Sequence, residues 1–429
     1  MGVVDVCVIG LGYIGLPTAC LIAKAGHRVW GADKNAGVIE GLKAGRLHIV
    51  NEKGLAELVG EAVVSGRLRF STSPAGADVF VIAVPTPLVR LERPSEETGL
   101  AGLGDFSYVA AAAESIIPFL AAGNLVVLES TVGPGCTQEL LKPLLERSGL
   151  RCGVDFHLAH APERVLPGNI LHELVHNDRI VGGVDRQSAE MARDFYASFV
   201  EGAIVVTDAR TAETVKLMEN TFRDVNIALA NEFALICEKL GVDVWEAISI
   251  ANRHPRVRIL NPGPGVGGHC LAIDPYFLAE KAPSLSPLIR QARKVNEGMP
   301  VHTADLFFGL TRGRDVRKVA VLGASYKADV GDERESPALQ VAELLGKGGA
   351  PVVVHDPFVE DYAGPLDDVL RDADCIVLLT DHTVYRELVP DDVARLVRAK
   401  LILDTRDVFG GEWEKAGFVV ARLGGPQRG

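Results

Sequence analysis

The sequence predicts an α/β protein with two doubly wound parallel sheets, joined by a long central helix and a helical domain. β-Branched runs of strand length alternate with helical patterns in the first and the last third of the chain. Between them, apolar residues recur every three or four positions after Thr211, which indicates one long helix ended by Gly241. The 429 residues are enough for two or three domains. We place the predicted domains at 1–207, 208–312 and 313–429.

The composition excludes several classes of partner. A formal net charge of −12 at pH 7 argues against nucleic acid and against an anionic membrane surface. No apolar run approaches the roughly 20 residues that span a bilayer. The seven cysteines are scattered without the spacing of metal ligands or of a disulfide framework. We therefore expect a cytoplasmic protein without a metal, in which a local cationic pocket can still take an anionic substrate.

A glycine-rich loop follows the first predicted strand. The run Val3 to Ile9 leads into Gly10-Leu11-Gly12-Tyr13-Ile14-Gly15, and a helical stretch comes next. In this order Gly10 makes the tight turn, Gly12 lets the backbone approach a pyrophosphate, and Gly15 lets the helix pack on the strand. The pattern predicts a Rossmann-like dinucleotide site. Its predicted loop residues are Gly10, Gly12, Tyr13, Ile14 and Gly15.

A carboxylate ends the second predicted strand, Arg28 to Ala32. Asp33 lies 18 residues after Gly15, where a carboxylate suits the ribose hydroxyls of NAD and repels the extra phosphate of NADP. Because Lys34 is its neighbour, the residues favour NAD without excluding NADP.

Three more polar residues follow strands whose carboxyl ends share one edge of the predicted sheet. Thr86 and Thr131 lie just past two apolar runs, and Glu163 lies past a third. Ligands of doubly wound sheets bind at this edge. The alternatives are a turn hydroxyl for Thr86 and a solvated carboxylate for Glu163.

The long predicted helix carries two stripes. Its apolar stripe, which includes Met218 and Phe222, is typical of a core, and the helix is long enough to pack also against a second subunit. Lys216, Asn220 and Arg223 share the opposite face, where an amine and an amide together can hold an oxyanion. The alternative is a solvated polar face.

The second glycine-rich loop, Gly263-Pro264-Gly265-Val266-Gly267-Gly268-His269-Cys270, suits neither a helix nor a central strand. It presents Cys270, and Asp274 follows four residues later. Such a thiol is typical of a nucleophile, because thiolate reactivity depends on local charge and access. The alternative is a small buried side chain in a turn. A cationic cluster at Asn252 to Arg258 precedes the loop and indicates either an anionic substrate or surface solubility.

The last third repeats the alternation without the glycine fingerprint. Only Gly323 stands in the loop after the run Lys318 to Leu322, so a second complete dinucleotide site is not expected. Lys327 and Arg334 in the following loop are candidates for phosphate or ribose contacts.

Four longer strings resemble the nucleotide-sugar 6-dehydrogenase family over nearly the whole chain. They are Leu47-His48-Ile49-Val50, Pro162 to Gly168, Phe222 to Ala228, and Ala251 to Arg256 with the glycine loop after it. The resemblance implies an N-terminal NAD domain, a central helix at a homodimer core and a C-terminal UDP-binding domain. It also implies a four-electron oxidation by NAD of the sugar C6 alcohol to a carboxylate, through a cysteine thiohemiacetal and a thioester.

The resemblance also implies residue roles. Cys270 is the implied nucleophile, and Lys216 with Asn220 stabilises oxyanions. Asp274 positions a water or takes the proton, and Glu163 assists thioester hydrolysis. The implied catalytic residues are Cys270, Lys216, Asn220, Asp274, Glu163 and Thr131.

Binding residues are implied in the same way. Thr131 helps to order the water, Arg334 contacts the cofactor, and Arg256 reaches the substrate of a neighbouring subunit. The implied cofactor residues are Gly10, Gly12, Tyr13, Ile14, Gly15, Asp33, Thr86, Thr131 and Arg334. The implied substrate residues are Glu163, Arg164, Val165, Lys216, Asn220, Arg223, His254, Arg256, Gly263, Gly267, Tyr326 and Lys327.

Departures from the family pattern bear on the sugar. UDP-glucose dehydrogenases usually carry Ser before the cysteine and Pro-Lys before the aspartate, where this chain has His269 and Ala272-Ile273. An isoleucine in place of a lysine removes a donor, which suits an N-acetyl group better than a hydroxyl. The family's second glutamate is missing near Pro167, so we expect hydrolysis to depend more on Glu163.

The resemblance carried by the four strings implies UDP-N-acetyl-D-mannosamine as the sugar nucleotide that is oxidised. UDP-N-acetylglucosamine and UDP-glucose are the alternative substrates. If the protein were a two-electron hydroxy-acid dehydrogenase, Cys270 would have only a structural role. If it were a non-catalytic NAD-binding scaffold, the glycine loop and the rim residues at the sheet edge, Thr86, Thr131 and Glu163, would have no explanation.

Overall fold

The computed structural model describes residues 2–49, 52–93, 95, 100–166 and 168–426. Val50 and Pro167, on which two of the sequence interpretations rest, lie outside these residues. The chain forms two compact units, the first comprising 1–219 with 276–285 and the second comprising 220–275 with 286–429.

The first unit is built on an eight-stranded sheet with the order β10-β9-β8-β7-β4-β1-β2-β3. Six strands run parallel, and β9 pairs antiparallel with β8 and parallel with β10. The sheet strands are β1 (Asp5–Ile9), β2 (Arg28–Ala32), β3 (Leu68–Ser71), β4 (Val79–Ile82), β7 (Leu125–Leu128), β8 (His157–His160), β9 (Arg179–Gly183) and β10 (Ile204–Asp208). A separate antiparallel hairpin pairs β5 (Leu88–Arg90) with β6 (Gly102–Gly104).

Helices cover both faces of this sheet and bury two apolar clusters, which explains why β1, β4 and β7 are apolar at nearly every position. The helices are α1 (Gly15–Lys24), α2 (Ala36–Lys43), α3 (Leu55–Val64), α4 (Ser107–Ile116), α5 (Lys142–Leu145), α6 (Ile170–His176) and α7 (Arg186–Tyr196). Shorter 3-10 or π turns lie at Ile117–Phe119, Thr137–Leu141 and Glu146–Ser148.

The second unit contains a five-stranded parallel sheet with the order β12-β11-β13-β14-β15. Its strands are β11 (Val319–Leu322), β12 (Val352–His355), β13 (Cys375–Leu378), β14 (Leu401–Asp404) and β15 (Val419–Arg422). The remaining helices are α8 (Ala209–Leu240), α9 (Val244–Ala251), α10 (Asp274–Lys281), α11 (Pro287–Leu310), α12 (Pro337–Gly346), α13 (Leu366–Leu370), α14 (Thr383–Arg386), α15 (Pro390–Leu396) and α16 (Gly411–Lys415). Two 3-10 turns lie at Pro283–Leu285 and Glu360–Tyr362.

The predicted fold class is confirmed, with two Rossmann-like sheets and one central helix, α8. The prediction that all strands of the first sheet are parallel is wrong for β9 and β10, which run opposite to the other six strands. No helix within the described residues is long and apolar enough to cross a membrane.

The apolar stripe of α8 is exposed in this chain, although the sequence pattern is typical of a buried core. Phe222 is 71% exposed and Leu240 is 68% exposed, and Leu229 and Ile236 are exposed as well. The polar positions Lys216 and Asn220 on the same helix are buried. Periodicity identifies the two faces of a helix but does not say which face the rest of the chain covers.

Candidate active site

The first glycine loop has room for a ligand only at its middle glycine. Gly10 has φ +92°, and a Cβ there would lie 2.5 Å from the Ala83 carbonyl oxygen. A Cβ at Gly15 would lie 1.8 Å from the Gly10 carbonyl oxygen, whereas a Cβ at Gly12 would meet nothing within 4 Å. Gly10 and Gly15 therefore close the turn against β4 and α1, and Gly12 leaves open backbone beside a helix N-terminus. This cradle fits a dinucleotide pyrophosphate.

Asp33 is held against this loop. One of its carboxylate oxygens accepts from the Leu11 backbone N–H at 2.9 Å, and the other accepts from the Asn35 N–H at 2.9 Å. The Leu11 carbonyl in turn accepts from His48 Nε2 at 2.8 Å. The carboxylate is therefore fixed at the end of β2, beside the loop where the sequence predicts the ribose contact.

The rim residues lie at the predicted positions after their strands. Thr86 and Thr131 are half-buried in the loops after β4 and β7. Ser130 connects these loops, because its hydroxyl donates to the Val84 carbonyl at 2.7 Å and accepts from the Val84 N–H at 2.9 Å. Glu163 is only 9% exposed, so the solvated alternative for this residue is wrong.

The two residues after Glu163 differ in what they offer a ligand. The Arg164 guanidinium pairs with Glu219 at 2.6 Å and also donates to the Asp178 carbonyl. The Arg164 backbone N–H donates to Glu163 at 2.5 Å, and Val165 is half-buried. The charged end of Arg164 is thus already occupied within the first unit.

Of the three polar positions predicted on α8, two are buried. Lys216 is buried near His160, whose pKa falls to about 3 chiefly because of burial and partly because of the Lys216 charge. Asn220 is also buried, whereas Arg223 is exposed. The solvated alternative is therefore wrong for Lys216 and Asn220, whereas the exposure of Arg223 leaves its predicted role a prediction.

The second glycine loop packs closely against the chain around Tyr326. A Cβ at Gly267 would lie 2.7 Å from Tyr326 Cβ, and Gly268 has φ +84° with the Tyr326 ring 3.0 Å from its Cβ position. The Gly268 N–H donates to the Arg334 carbonyl at 3.0 Å. The absence of side chains at these glycines is therefore what brings the cysteine loop against predicted binding residues.

Cys270 is half-buried and stands at the start of a turn that leads into α10. Its carbonyl accepts from the Asp274 N–H at 2.8 Å, and Asp274 accepts from Asn220 Nδ2 at 2.5 Å. Asp274 is 2% exposed. The second unit thus brings together the predicted nucleophile, the predicted acid or base and one of the two predicted oxyanion donors.

The other cysteines for which burial governs the thiol are poor nucleophiles. Burial raises the pKa of Cys7 to about 11, and it raises the pKa of Cys20, Cys136 and Cys375 to about 12. Burial also raises the pKa of the half-buried Cys152 to about 12. Because the thiolate is the nucleophile, these five thiols are unsuited to covalent catalysis near neutral pH.

Sequence reasoning missed two residues that hold the start of the second glycine loop. Asn231 Oδ1 accepts from the Gly263 N–H at 2.9 Å. The Arg406 guanidinium would lie 2.6 Å from a Cβ at Gly263, so a larger residue there would have to displace this side chain. Both had a signal in the sequence: Asn231 continues the polar face of Asn220 along α8, and Arg406 follows the carboxyl end of β14.

A buried network of hydrogen bonds and one ion pair holds Asn231 in place. Asn231 Nδ2 donates to Asn296 Oδ1 at 2.9 Å, and Asn296 Nδ2 donates to Asp224 at 2.8 Å. Arg293 pairs with Asp224 at 2.6 Å. The network fixes α8 to α11 in the second unit, and therefore the entry to the glycine loop.

The segment that carries Tyr326, Lys327 and Arg334 is anchored at its start by a buried carboxylate. Buried Asp356 accepts from the Ala324 N–H and the Ser325 N–H at 2.8 and 2.9 Å, and from His382 at 2.9 Å. Lys327 is exposed. Arg334 pairs with Asp332 at 2.6 Å and, although burial acts to raise it, this guanidinium holds the pKa of Asp332 below its usual range.

The cationic cluster before the glycine loop is a surface feature of this chain. His254 and Arg256 are both exposed, and His254 Nδ1 accepts from the Arg256 N–H at 3.4 Å. Within the described residues, no group of three or more His, Cys, Asp or Glu side chains is arranged to hold a metal ion.

Three family models of the UDP-glucose/GDP-mannose dehydrogenase family match this chain. The NAD binding domain matches residues 4–200, the central domain 210–298 and the UDP binding domain 320–411. The chain is therefore an NAD-dependent oxidoreductase with a UDP-sugar binding domain, which removes the non-catalytic scaffold from the alternatives.

Full-length relatives agree with the family models. A UDP-N-acetyl-D-mannosamine dehydrogenase of Methanococcus maripaludis is 47% identical over 98% of this chain and 96% of its own. An NDP-N-acetyl-D-galactosaminuronic acid dehydrogenase of Ralstonia nicotianae is 44% identical over 95% of this chain and 96% of its own.

A solved structure, that of UDP-D-ManNAc dehydrogenase from Pyrococcus horikoshii, has a TM-score of 0.90 to this chain. The two sequences are 42% identical, and the match covers 98% of this chain and 99% of that one. On these matches and the geometry of its two glycine loops, the chain belongs to the UDP-glucose/GDP-mannose dehydrogenase family.

Proposed function

We propose that this chain oxidises UDP-N-acetyl-D-mannosamine to UDP-N-acetyl-D-mannosaminuronate, through a thiohemiacetal and a thioester on Cys270. The observation that carries the proposal is the half-buried Cys270 in a glycine loop packed on Tyr326, with Asp274 hydrogen-bonded to Asn220. Relatives with 47% and 42% identity that are named for this sugar support the choice of substrate.

The chemistry divides the oxidation into two hydride losses and one hydrolysis. NAD, when bound, accepts a hydride from C6 in each of the two oxidations. Between them the Cys270 thiolate adds to the aldehyde carbon, and a carbon–sulfur bond forms while the carbonyl oxygen becomes an alkoxide. After the second oxidation, water adds to the thioester carbon, the carbon–sulfur bond breaks, and the thiol recovers the proton.

The proposed catalytic roles follow the resemblance. Lys216 and Asn220 stabilise the oxyanions that form at C6, a role supported by their burial, because donors act strongly where water is excluded. Asp274 takes the proton or positions the water, and Glu163 assists the hydrolysis. Thr131 helps to order the water.

The proposed binding roles divide into contacts with the cofactor and contacts with the substrate. Gly10, Gly12, Tyr13, Ile14, Gly15, Asp33, Thr86, Thr131 and Arg334 are the proposed cofactor contacts. Tyr326 and Lys327 are proposed to bind the UDP part. The backbone of Gly263 and Gly267 is proposed to contact the substrate. The other proposed substrate contacts are Glu163, Arg164, Val165, Lys216, Asn220, Arg223, His254 and Arg256. Arg164 is kept among them, although its guanidinium is paired with Glu219 and its backbone N–H donates to Glu163.

A homodimer through α8 is part of the proposal. Phe222, Leu229 and Ile236 recur every seven residues on this helix and are exposed, as is Leu240. An apolar stripe of this kind is typical of a helix that packs on a second copy. The exposed Arg256 is then available to reach the neighbouring subunit's substrate.

We also propose that the enzyme acts in the cytoplasm, in polysaccharide biosynthesis. The three predicted domains are proposed as its functional division.

Phe222→Glu tests the homodimer. A charge at a 71% exposed position should leave the fold intact but place two carboxylates in the apolar contact, so we expect monomers by sedimentation velocity at micromolar concentration. Glu246→Lys, a charge change on the first turn of α9, is the control and should stay dimeric. A parental protein that sediments as a monomer would contradict this part of the proposal.

The identity of the sugar rests on fewer residues than the reaction. Ile273, in the place of the lysine of UDP-glucose dehydrogenases, is 6% exposed and supplies no donor. UDP-N-acetylglucosamine and UDP-glucose remain the alternatives, and a two-electron hydroxy-acid dehydrogenase is disfavoured because it leaves the UDP binding domain without a ligand.

Counting NADH tests the reaction. The purified protein, given a panel of UDP-sugars with limiting substrate, should form two NADH per uronate and be fastest with UDP-N-acetyl-D-mannosamine. One NADH per substrate would contradict the thioester route. Faster turnover of UDP-glucose would instead contradict only the sugar.

A further inference from the structure

A buried cluster of charges lies beside Glu163 in the first unit. Arg179 Nη2 is 2.6 Å from Glu129 Oε1 and 3.4 Å from Glu163 Oε2. The Tyr196 hydroxyl donates to the same Glu129 oxygen at 2.6 Å, and the Arg179 guanidinium stacks 4.1 Å from the centre of the Tyr196 ring. One cation thus bridges a fully buried carboxylate and the carboxylate proposed for hydrolysis.

The reversed strand explains how these residues meet. Glu129 follows β7, and Glu163 follows β8, so both lie at the carboxyl edge of the parallel strands. Because β9 runs antiparallel to β8, its first residue, Arg179, lies at this same edge. Tyr196 reaches the cluster from the last turn of α7. A sheet that stayed parallel would have put Arg179 at the opposite edge.

The charges and the burial of the cluster favour a fixed position for the Glu163 carboxylate. The side chains of Arg179 and Glu129 are 6% and 0% exposed, so each would be costly to leave without its partner. Burial raises the pKa of Glu129, with Arg179 opposing the shift, and burial also raises the pKa of Tyr196. The guanidinium is therefore locked by Glu129 and Tyr196, and Glu163 is the remaining group it restrains.

We propose that Arg179, locked by Glu129 and Tyr196, is a positioning residue that fixes Glu163 for hydrolysis of the acyl-enzyme. The inference rests on the function proposed above and adds which residues hold its hydrolytic carboxylate. Glu163 Oε1 accepts a hydrogen bond from the Arg164 N–H, whereas Oε2 has no hydrogen-bond partner among the described residues and lies in an ion pair 3.4 Å from Arg179 Nη2, so the charge of Arg179 is what orients this oxygen. We assign Arg179 a role through Glu163, because its guanidinium is already engaged by Glu129 and stacked on the Tyr196 ring.

The proposal predicts a defect confined to one step. Both hydride losses precede hydrolysis, and the proposed catalytic role of Glu163 belongs to hydrolysis alone. Loss of Arg179 frees the Glu163 carboxylate to rotate, and misplacement of such a group by about 1 Å costs on the order of a hundredfold. The thioester on Cys270 should then accumulate.

Pre-steady-state kinetics of Arg179→Met test this. With saturating NAD and sugar nucleotide, we expect a burst of two NADH per active site, followed by a steady rate about a hundredfold below the parental rate. Intact-protein mass spectrometry should find the sugar nucleotide bound to Cys270. Hydroxylamine, which attacks a thioester without a general base, should restore turnover by releasing a hydroxamate and the free thiol.

Three variants complete the design. Arg179→Lys keeps the charge and should recover part of the steady rate. Tyr196→Phe keeps the ring and removes only the hydroxyl, so it should show the same burst with a smaller defect even where Arg179→Met does not fold. Arg186→Met removes an exposed ion pair with Glu190 and should behave like the parent.

The outcomes separate the two proposals. A parental enzyme that forms one NADH and no adduct at Cys270 overturns the proposed function. A parental enzyme that behaves as proposed, together with Arg179→Met or Tyr196→Phe variants that lose the burst and the steady rate equally, overturns only the positioning role. Parental hydrolysis in both variants overturns it as well.

Discussion

Cys270→Ala is expected to abolish uronate formation, lowering the rate by at least about 10³-fold, because it removes the sulfur on which the proposed thioester forms. The side chain is half-buried, so removing one sulfur should leave the fold and the NAD affinity unchanged. The variant should yield at most one NADH per sugar, measured at 340 nm with limiting substrate. Cys270→Ser, with a weaker nucleophile in the same place, should be nearly as slow.

A matched control is available in Cys152. It is half-buried like Cys270, but burial raises the pKa of its thiol to about 12. Cys152→Ala should therefore keep the parental rate. Uronate produced by Cys270→Ala at the parental rate would show that the carbon–sulfur bond is not part of the reaction.

Much of the fold follows from local patterns that survive in three dimensions. The predicted strand Arg28 to Ala32 matches β2 residue for residue. It is a short run that ends at the polar Asp33, and runs of this kind form the inner strands of a parallel sheet that is covered on both faces. The bounds of α8 were predictable for a similar reason, since its apolar period is unbroken up to Gly241.

Other features depend on which surfaces meet, and local patterns do not contain that information. The stripe with Phe222 reads as a core, yet the chain covers the opposite face of α8 and buries Lys216 and Asn220. The reversal of β9 is equally invisible, because a five-residue apolar strand has no intrinsic direction. Consequently the sequence can nominate Glu163 but not the arginine that touches it.

The candidate site divides in the same way. Glycine positions are readable because only glycine permits φ near +90° or a neighbour where Cβ would stand, as at Gly10 and Gly268. Hydrogen-bond partners far apart in the chain are not readable. Asn220 and Asp274 were nominated separately, and their contact appears only once α8 and the start of α10 are in place.

That contact makes Asn220→Ala the second variant with a large expected effect. Removal of one donor from an oxyanion site costs about 10² to 10³ in kcat, and the proposed donor Asn220 also hydrogen-bonds Asp274. We therefore expect kcat for NADH formation to fall by about 10³-fold while KM for the sugar nucleotide changes little. Steady-state kinetics with each substrate varied would measure both.

Asn226→Ala is the matched control for this variant. It removes the same amide from the same helix, but at a position where Asn226 Nδ2 donates to a backbone carbonyl, that of Phe222, rather than to a predicted catalytic carboxylate. Both variants replace asparagine by a better helix former, so a difference between them cannot come from helix propensity. If KM rose and kcat stayed at the parental value for Asn220→Ala, the amide would be a ground-state contact, and oxyanion stabilisation would fall to Lys216 alone. An equal loss in Asn226→Ala would mean that α8, rather than the Asn220–Asp274 contact, limits catalysis.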